Sequence, residues 1–183
     1  MDHSVARMIA GQQADAIIVK LGINIHNFGS LSLRTFRQSA LGFLRTLRDG
    51  HPAVPILIIS PIWGSWRETN SASVTNPAVP YDKKDPFMPT LQDMRSELET
   101  AVDILVQRGD KSLYYVSGLR LFSSADAAAG LMPDGLHPNA VGYELLGRRI
   151  AQFAFGPDGI LLPGRVPFDG NALLSAGVAK ASL

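Results

Sequence analysis

Apolar residues recur at helical spacing in four stretches of the chain and gather into short β-branched or aliphatic runs in three others. Residues 5–12 place Val5, Met8 and Ile9 on one face, with Asp2 or Ser4 as N-cap, and predict a helix. Residues 14–21 form an apolar run that stops at Gly22, and both of its faces read as apolar. That pattern predicts a strand covered by helices on both sides. In residues 33–47 the apolar positions Leu33, Phe36, Ala40, Phe43, Leu44 and Leu47 share a helical face, and Gly50 and Pro52 end the segment. Residues 54–60 predict a second buried strand, 91–107 a helix closed by Gly109, 113–116 a third strand, and about 138–153 a last helix.

The order helix, strand, helix, strand, helix, strand, helix predicts an α/β fold of three layers (α/β/α), with a parallel sheet joined by right-handed crossovers. In such sheets chemistry gathers at the carboxyl ends of the strands. Gly22-Ile23-Asn24 lies just past the first strand, Ser60 ends the second, and Asp134 and His137 follow the third, so all three stations fall on one rim. Three strands make a small sheet for such a domain, and a first strand buried on both faces predicts a fold that begins before Met1. Residues 1–155 are expected to form the domain. Residues 156–183, with several Gly and Pro and no periodicity, are expected to be a loosely packed tail. Residues 61–89 form a long segment rich in Pro, Ser, Thr and Asn. Loops of that length are usually functional or mobile. Trp63 and Trp66 near its start suit a lid or substrate wall, although aromatic loop residues more often simply pack.

Composition narrows the function classes. Seventeen basic against sixteen acidic residues give a formal charge of +1, with no like-charge run to favour nucleic acid or an anionic membrane. The absence of cysteine excludes disulfides, thiolate metal sites and a Cys nucleophile. The apolar runs are too short to span a bilayer, and the first residues lack the features of a signal peptide, so a cytoplasmic location is expected.

The chemistry concentrates in Pro133-Asp134-Gly135-Leu136-His137-Pro138-Asn139. An Asp three residues before a His, at a helix entrance, can hold an imidazole as an oriented general base. The plainer reading is a polar turn in which Asp134 accepts backbone N–H groups and Pro138 opens the helix. Position on the active rim favours the base. In Gly22-Ile23-Asn24-Ile25-His26-Asn27, Asn24 suits an oxyanion donor, against the plainer reading of an Asx-turn. His26 reads better as a hydrogen-bonded loop histidine than as a base, and His3 and His51 lie near helix ends. A metal site from His26, Asp134 and His137 lacks supporting spacing, and no phosphate-binding glycine pattern is present. No serine sits in a Gly-x-Ser-x-Gly or Gly-Asp-Ser-like turn. Ser60 is the best placed and a weak nucleophile candidate; Ser30 and Ser32 read as ordinary cap residues.

Together Gly22-Ile23-Asn24 and Asp134-Gly135-Leu136-His137 resemble the third and fifth sequence blocks of the SGNH, or GDSL-like, serine hydrolases. The stretches from Leu21 to Asn27, Arg48-Asp49-Gly50-His51-Pro52 and Ser60-Pro61-Ile62 resemble a bacterial subgroup of them. The resemblance implies a flavodoxin-like sheet and esterase chemistry on a small ester substrate, with no cofactor. It further implies His137 as base, Asp134 as its orienting acid, Asn24 as oxyanion donor and Gly22 as the turn supporting Asn24.

The family's nucleophilic Ser, its first strand and its oxyanion Gly precede the third block, and only twenty-one residues precede Gly22 here. The expectation is therefore the C-terminal portion of such a hydrolase, with little or no esterase activity of its own. Loss of the central first strand would expose the edge of residues 16–21 to another chain, a route to homo-oligomers. The alternatives are a non-catalytic interaction module on a degenerate hydrolase fold and a truncated gene product.

Overall fold

A computed structural model describes residues 1–71, 87–157 and 159–161. Three strands, β1 (Ile17–Lys20), β2 (Ile56–Ile59) and β3 (Leu113–Val116), form one parallel sheet in the order β1-β2-β3. Ile17 stands opposite Ile56, and Ile56 opposite Leu113. Each strand is followed by helix: α1 (His3–Ala10) precedes β1, α2 (Ile23–Phe28) and α3 (Leu33–Gly50) lead to β2, and α4 (Leu91–Gln107) leads to β3. After β3 come two short turns of helix, α5 (Gly118–Leu121) and α6 (Ser124–Asp126), and then α7 (Ala140–Phe155).

One face of the sheet is closed by α1, α3 and α4. Phe36, Ala40, Phe43, Leu44 and Leu47 of α3 are all buried, as their spacing requires of a single helical stripe. They pack with Leu91, Met94, Leu98 and Ala101 of α4 around Ile17, Ile56 and Ile58. A reciprocal capping box between Thr90 and Asp93 fixes the start of α4. His51 lies with Nε2 3.0 Å from the Ile9 carbonyl, which ties the end of α3 to α1. At the amino-terminal rim Arg48 pairs with Asp110 at 2.9 Å and donates to the carbonyls of His51 and Val54. Arg48 and His51 of the family-like stretch therefore brace the rim opposite the cleft.

The other face is covered by α5 and α7 over Leu57, Ile59 and Val116, with Ala16 and Tyr114 partly buried at its margin. β1 is an edge strand, and its Ile18 is 40% exposed. This corrects the expectation that the first strand is covered on both faces: its helical layer on this side stops short. Residues 17, 19 and 21 turn their backbone toward β2, as Ile17 N–H to Pro55 and Leu21 N–H to Ile59 show. The alternation of a parallel ladder then leaves the polar groups of Ile18 and Lys20 on the open edge.

Several boundaries move. The first helix runs His3–Ala10 and the last Ala140–Phe155, and the first strand is four residues long. The segment after Gly22 is a helix, not a loop. Residues 72–86 of the long segment and 162–183 of the tail lie outside the described residues. In the described part of the long segment, Ser65–Glu68 form a turn of 3-10 helix.

Candidate functional site

The Asp134–His137 turn is built by three hydrogen bonds to one carboxylate. Asp134 Oδ1 accepts the backbone N–H groups of His137 at 2.6 Å and Leu136 at 2.9 Å, while Oδ2 lies 2.7 Å from His137 Nδ1. Gly135 between them holds a positive φ of 70°, the conformation that lets the chain double back. The His137 amide, its imidazole and the Leu136 amide, in that order of weight, hold the Asp134 carboxyl far below the usual carboxylate range. An ionised Asp134 can only accept, so Nδ1 carries a proton, and in the neutral tautomer Nε2 is the acceptor. The two sequence readings of this turn are thus one structure: Asp134 accepts backbone N–H groups with one oxygen and orients the imidazole with the other. Pro138 stands outside the helix, whose N-cap is Asn139, with Oδ1 accepting Gly142 N–H at 2.9 Å.

Gly22 ends β1 and caps α2. Its φ is +123°, and a Cβ there would lie 2.5 Å from Pro61 Cγ, so both the turn and the approach of the Ser60–Pro61 segment require glycine. This turn puts Asn24 in the first turn of α2, on the wall of a cleft it shares with His137. Lys20, Leu21, Ile23, Asn27 and the Pro61–Gly64 stretch complete that side of the cleft, and Leu136, Pro138 and Tyr143 face them. Trp63 is therefore a cleft wall residue, whereas Trp66 packs edge-on to His26 at 5.9 Å and under the Arg67 guanidinium.

The geometry keeps other residues out. Ser60 is fully buried; its Oγ accepts Gly118 N–H at 3.0 Å and lies 3.0 Å from the Tyr115 hydroxyl. A Cβ on Gly118 would strike the Ser60 and Pro61 carbonyls, so this corner is a packing joint, and Ser60 is closed off from solvent. Ser32 Oγ lies 3.1 Å from Thr35 Oγ1, at the start of α3. His26 is buried with Nε2 2.8 Å from the Asn70 carbonyl, and burial lowers its pKa. Among the described residues no three His, Asp or Glu side chains group as a metal site. No helix among them is long and apolar enough to cross a membrane.

Three residues at this end of the sheet escaped the sequence reading. Lys20 and Tyr143 enter the cleft because of which face of β1 and α7 they occupy, and no motif marks them. Ser65 is the one non-glycine among the described residues with positive φ, 58°, and it sits against Gly135 of the Asp134–His137 turn. Only its backbone conformation could have flagged it.

The parallel sheet and its flanking helices match the general architecture of the SGNH/GDSL-like esterases, lipases and acyltransferases. Solved structures bear this out at low identity. The chain superposes on the salicylyl-acyltransferase SsfX3 of a tetracycline biosynthetic pathway with a TM-score of 0.62 at 26% identity, over 79% of this chain and 38% of that one. A GDSL-like lipase from Bacteroides ovatus gives 0.57 at 24% identity, over 81% and 37%. A carbohydrate esterase family 3 protein from Talaromyces cellulolyticus gives 0.54 at 22%, over 85% and 64%. The chain thus spans less than two fifths of the length of the first two. No protein-family model matches the sequence, and no curated protein does.

Proposed function

We propose that this chain carries the acid–base half of a serine-type ester hydrolase or acyl-transfer site. The observation that carries the reading is the Asp134–His137 pair, with Nδ1 fixed at 2.7 Å and Asn24 on the same cleft. In that role His137 Nε2 takes the proton of the attacking hydroxyl and returns it to the leaving alcohol. Asp134 holds the ring and stabilises the imidazolium. The Asn24 amide donates to the carbonyl oxygen as charge develops on it. The nucleophile is proposed to come from a segment other than the described residues, since among the described residues no serine lines the cleft.

The test is hydrolysis of p-nitrophenyl acetate by the purified chain. Expected is slow turnover that falls at least about tenfold with His137→Ala, positioned general bases being worth about 10²–10⁴. Turnover untouched by His137→Ala counts against the reading. Robust turnover lost in Ser65→Ala or Ser60→Ala places the nucleophile inside this chain. A second reading, an interaction module, is favoured by the open β1 edge and exposed Ile18. It predicts a stable oligomer by light scattering and no His137-dependent turnover.

A further inference from the structure

We infer that Arg67 is a positioning residue for the Asp134–His137 pair: its guanidinium locks the Gly135–Leu136 peptide plane and so keeps the Asp134 carboxylate on His137 Nδ1. This role rests on the reading of the pair as acid and base, and it adds a residue that acts only through the turn.

The peptide unit between Gly135 and Leu136 is held at both ends. Its N–H, on Leu136, donates to Asp134 Oδ1 at 2.9 Å. Its C=O, on Gly135, accepts from Arg67 Nη1 at 3.3 Å. The two groups of a trans peptide point in opposite directions, so the plane is gripped from both sides. Gly135 has a φ of 70°, and glycine populates positive and negative φ about equally, so its own backbone does not fix the plane. A flip would take the Leu136 N–H off Oδ1 and release the carboxylate whose other oxygen faces Nδ1. The turn is open to water, with the Asp134 and His137 side chains 54% and 65% exposed, so its local hydrogen bonds compete with solvent. Arg67 ties the plane to a different part of the chain.

That part is itself pinned. The Ser65–Glu68 turn follows β2. Glu68 Oε1 accepts the Gly64 N–H at 2.9 Å, and Oε2 meets the buried Arg95 of α4. Arg95 also donates to the Pro61 carbonyl at 3.0 Å. The Arg67 guanidinium lies 4.6 Å from the centroid of the Trp66 ring, and a Cβ built on Gly135 would stand 3.3 Å from Ser65 Cβ. Arg67 Nε is buried without a hydrogen-bond partner among the described residues. A sealed, unpaired nitrogen destabilises the fold, and an apolar side chain would cover Trp66 without that loss. Packing alone therefore does not account for arginine here. Burial lowers the Arg67 pKa, and the Asp134 charge opposes it.

The tautomer of His137 tests this without any turnover. It is read from the ring 15N shifts and their couplings to the ring protons at about pH 9, above the ordinary imidazole range. In the parent the Nδ1–H form should dominate. In Arg67→Met the ratio of Nδ1–H to Nε2–H should fall at least about fivefold, the worth of one ordinary hydrogen bond. Arg67→Gln keeps an N–H donor near the Nε position but lacks the reach of Nη1, and its ratio should fall likewise. Arg67→Lys, with a donor on a longer stem, should keep most of the parent ratio. The Gln and Lys variants carry the comparison alone if Arg67→Met fails to fold. A role confined to packing on Trp66 predicts a lower melting temperature with the ratio unmoved in Arg67→Gln, and that result overturns the inference. So does a loss in Arg67→Lys as large as in Arg67→Gln. A parent ring in the Nε2–H form would instead overturn the pairing of Asp134 with His137, and this role with it. Failure of the ester chemistry alone is read in the turnover assay of His137→Ala.

Discussion

The two faces of the sheet are built to different standards. On one, α1, α3 and α4 bury Phe36, Ala40, Leu91, Met94 and Leu98 completely. On the other, α7 covers β2 and β3 but leaves Ile18 40%, Val141 58% and Tyr143 51% exposed. The cleft lies at the carboxyl end of the strands, where Leu21 and Ile23 from the closed side meet Ile62 and Trp63 from the second side. The difference is one of cover. The closed face sets three helices against all three strands, whereas the second face buries Leu57, Ile59 and Phe122 over β2 and β3 and leaves Ile18 of β1 uncovered.

The largest expected effect separates the two faces directly. Phe36→Ala removes a fully buried ring from the closed face, and should cost about 3–5 kcal/mol in chemical denaturation. Val141→Ser, on the open face, should stay within about 0.5 kcal/mol. Comparable losses at the two positions would mean that Val141 is covered in solution, and the distinction between the faces would fail.

The closed face was also the more legible in the sequence. Its helices carry their own evidence: the α3 stripe from Phe36 to Leu47 has one period and one outcome. The parallel order follows from alternation alone. What escaped was set by contacts between distant residues. α6 ends where Asp126 meets Arg149, with the two carboxylate oxygens at 2.7 and 3.0 Å, and no local pattern announces that pairing. The open edge of β1 was expected from the missing first strand, but its uncovered face was not, because apolar side chains on both faces read as two-sided cover although Ile18 is 40% exposed. At the site, Asp134, His137, Gly22 and Asn24 were legible as motifs because their chemistry fixes their spacing. Lys20, Tyr143 and Ser65 were not, since each owes its place to the sheet face or backbone angle it occupies.

Two glycines sharpen the comparison at a smaller scale. Gly22→Ala should cost about 1–3 kcal/mol, because the residue combines a φ of +123° with a close approach to Pro61. It should also shift the Asn24 amide signal, since this turn sets where α2 begins. Gly147→Ala, within α7 and facing open space, should instead gain about 0.5–1 kcal/mol by restricting the unfolded chain. A loss at Gly147 would show that the outer surface of α7 is in contact with something in solution.

Acid should act through His26 before it acts through the exposed turn. Burial lowers the His26 pKa from the ordinary 6.5, so the unfolded chain binds a proton that the folded one resists. Its contribution is whole above 6.5, falls as pH drops through that value, and levels off below the folded pKa. Melting temperatures from pH 8 to 5 should therefore decline, and His26→Gln, which can still donate to the Asn70 carbonyl, should flatten the decline. An unchanged slope in that variant would assign the acid sensitivity elsewhere.

The smallest effect on stability should come from the residue with the largest perturbation. Asp134 is exposed, and its depressed pKa reflects local hydrogen bonds rather than burial. Its contribution is present at and above the ordinary carboxylate value of 3.8 and is lost only as pH falls below it, through the folded pKa. Between pH 5 and 8 the melting temperature of Asp134→Asn should therefore run parallel to that of the parent, with no added pH dependence, while its imidazole loses the carboxylate that fixes the Nδ1 proton. The Leu136 and His137 amide shifts report this directly: in the parent they should titrate together with a midpoint well below 3.8, and in Asp134→Asn they should not titrate in that range. A midpoint at or above 3.8 would mean that the turn is open in solution and that the His137 ring is not held by Asp134.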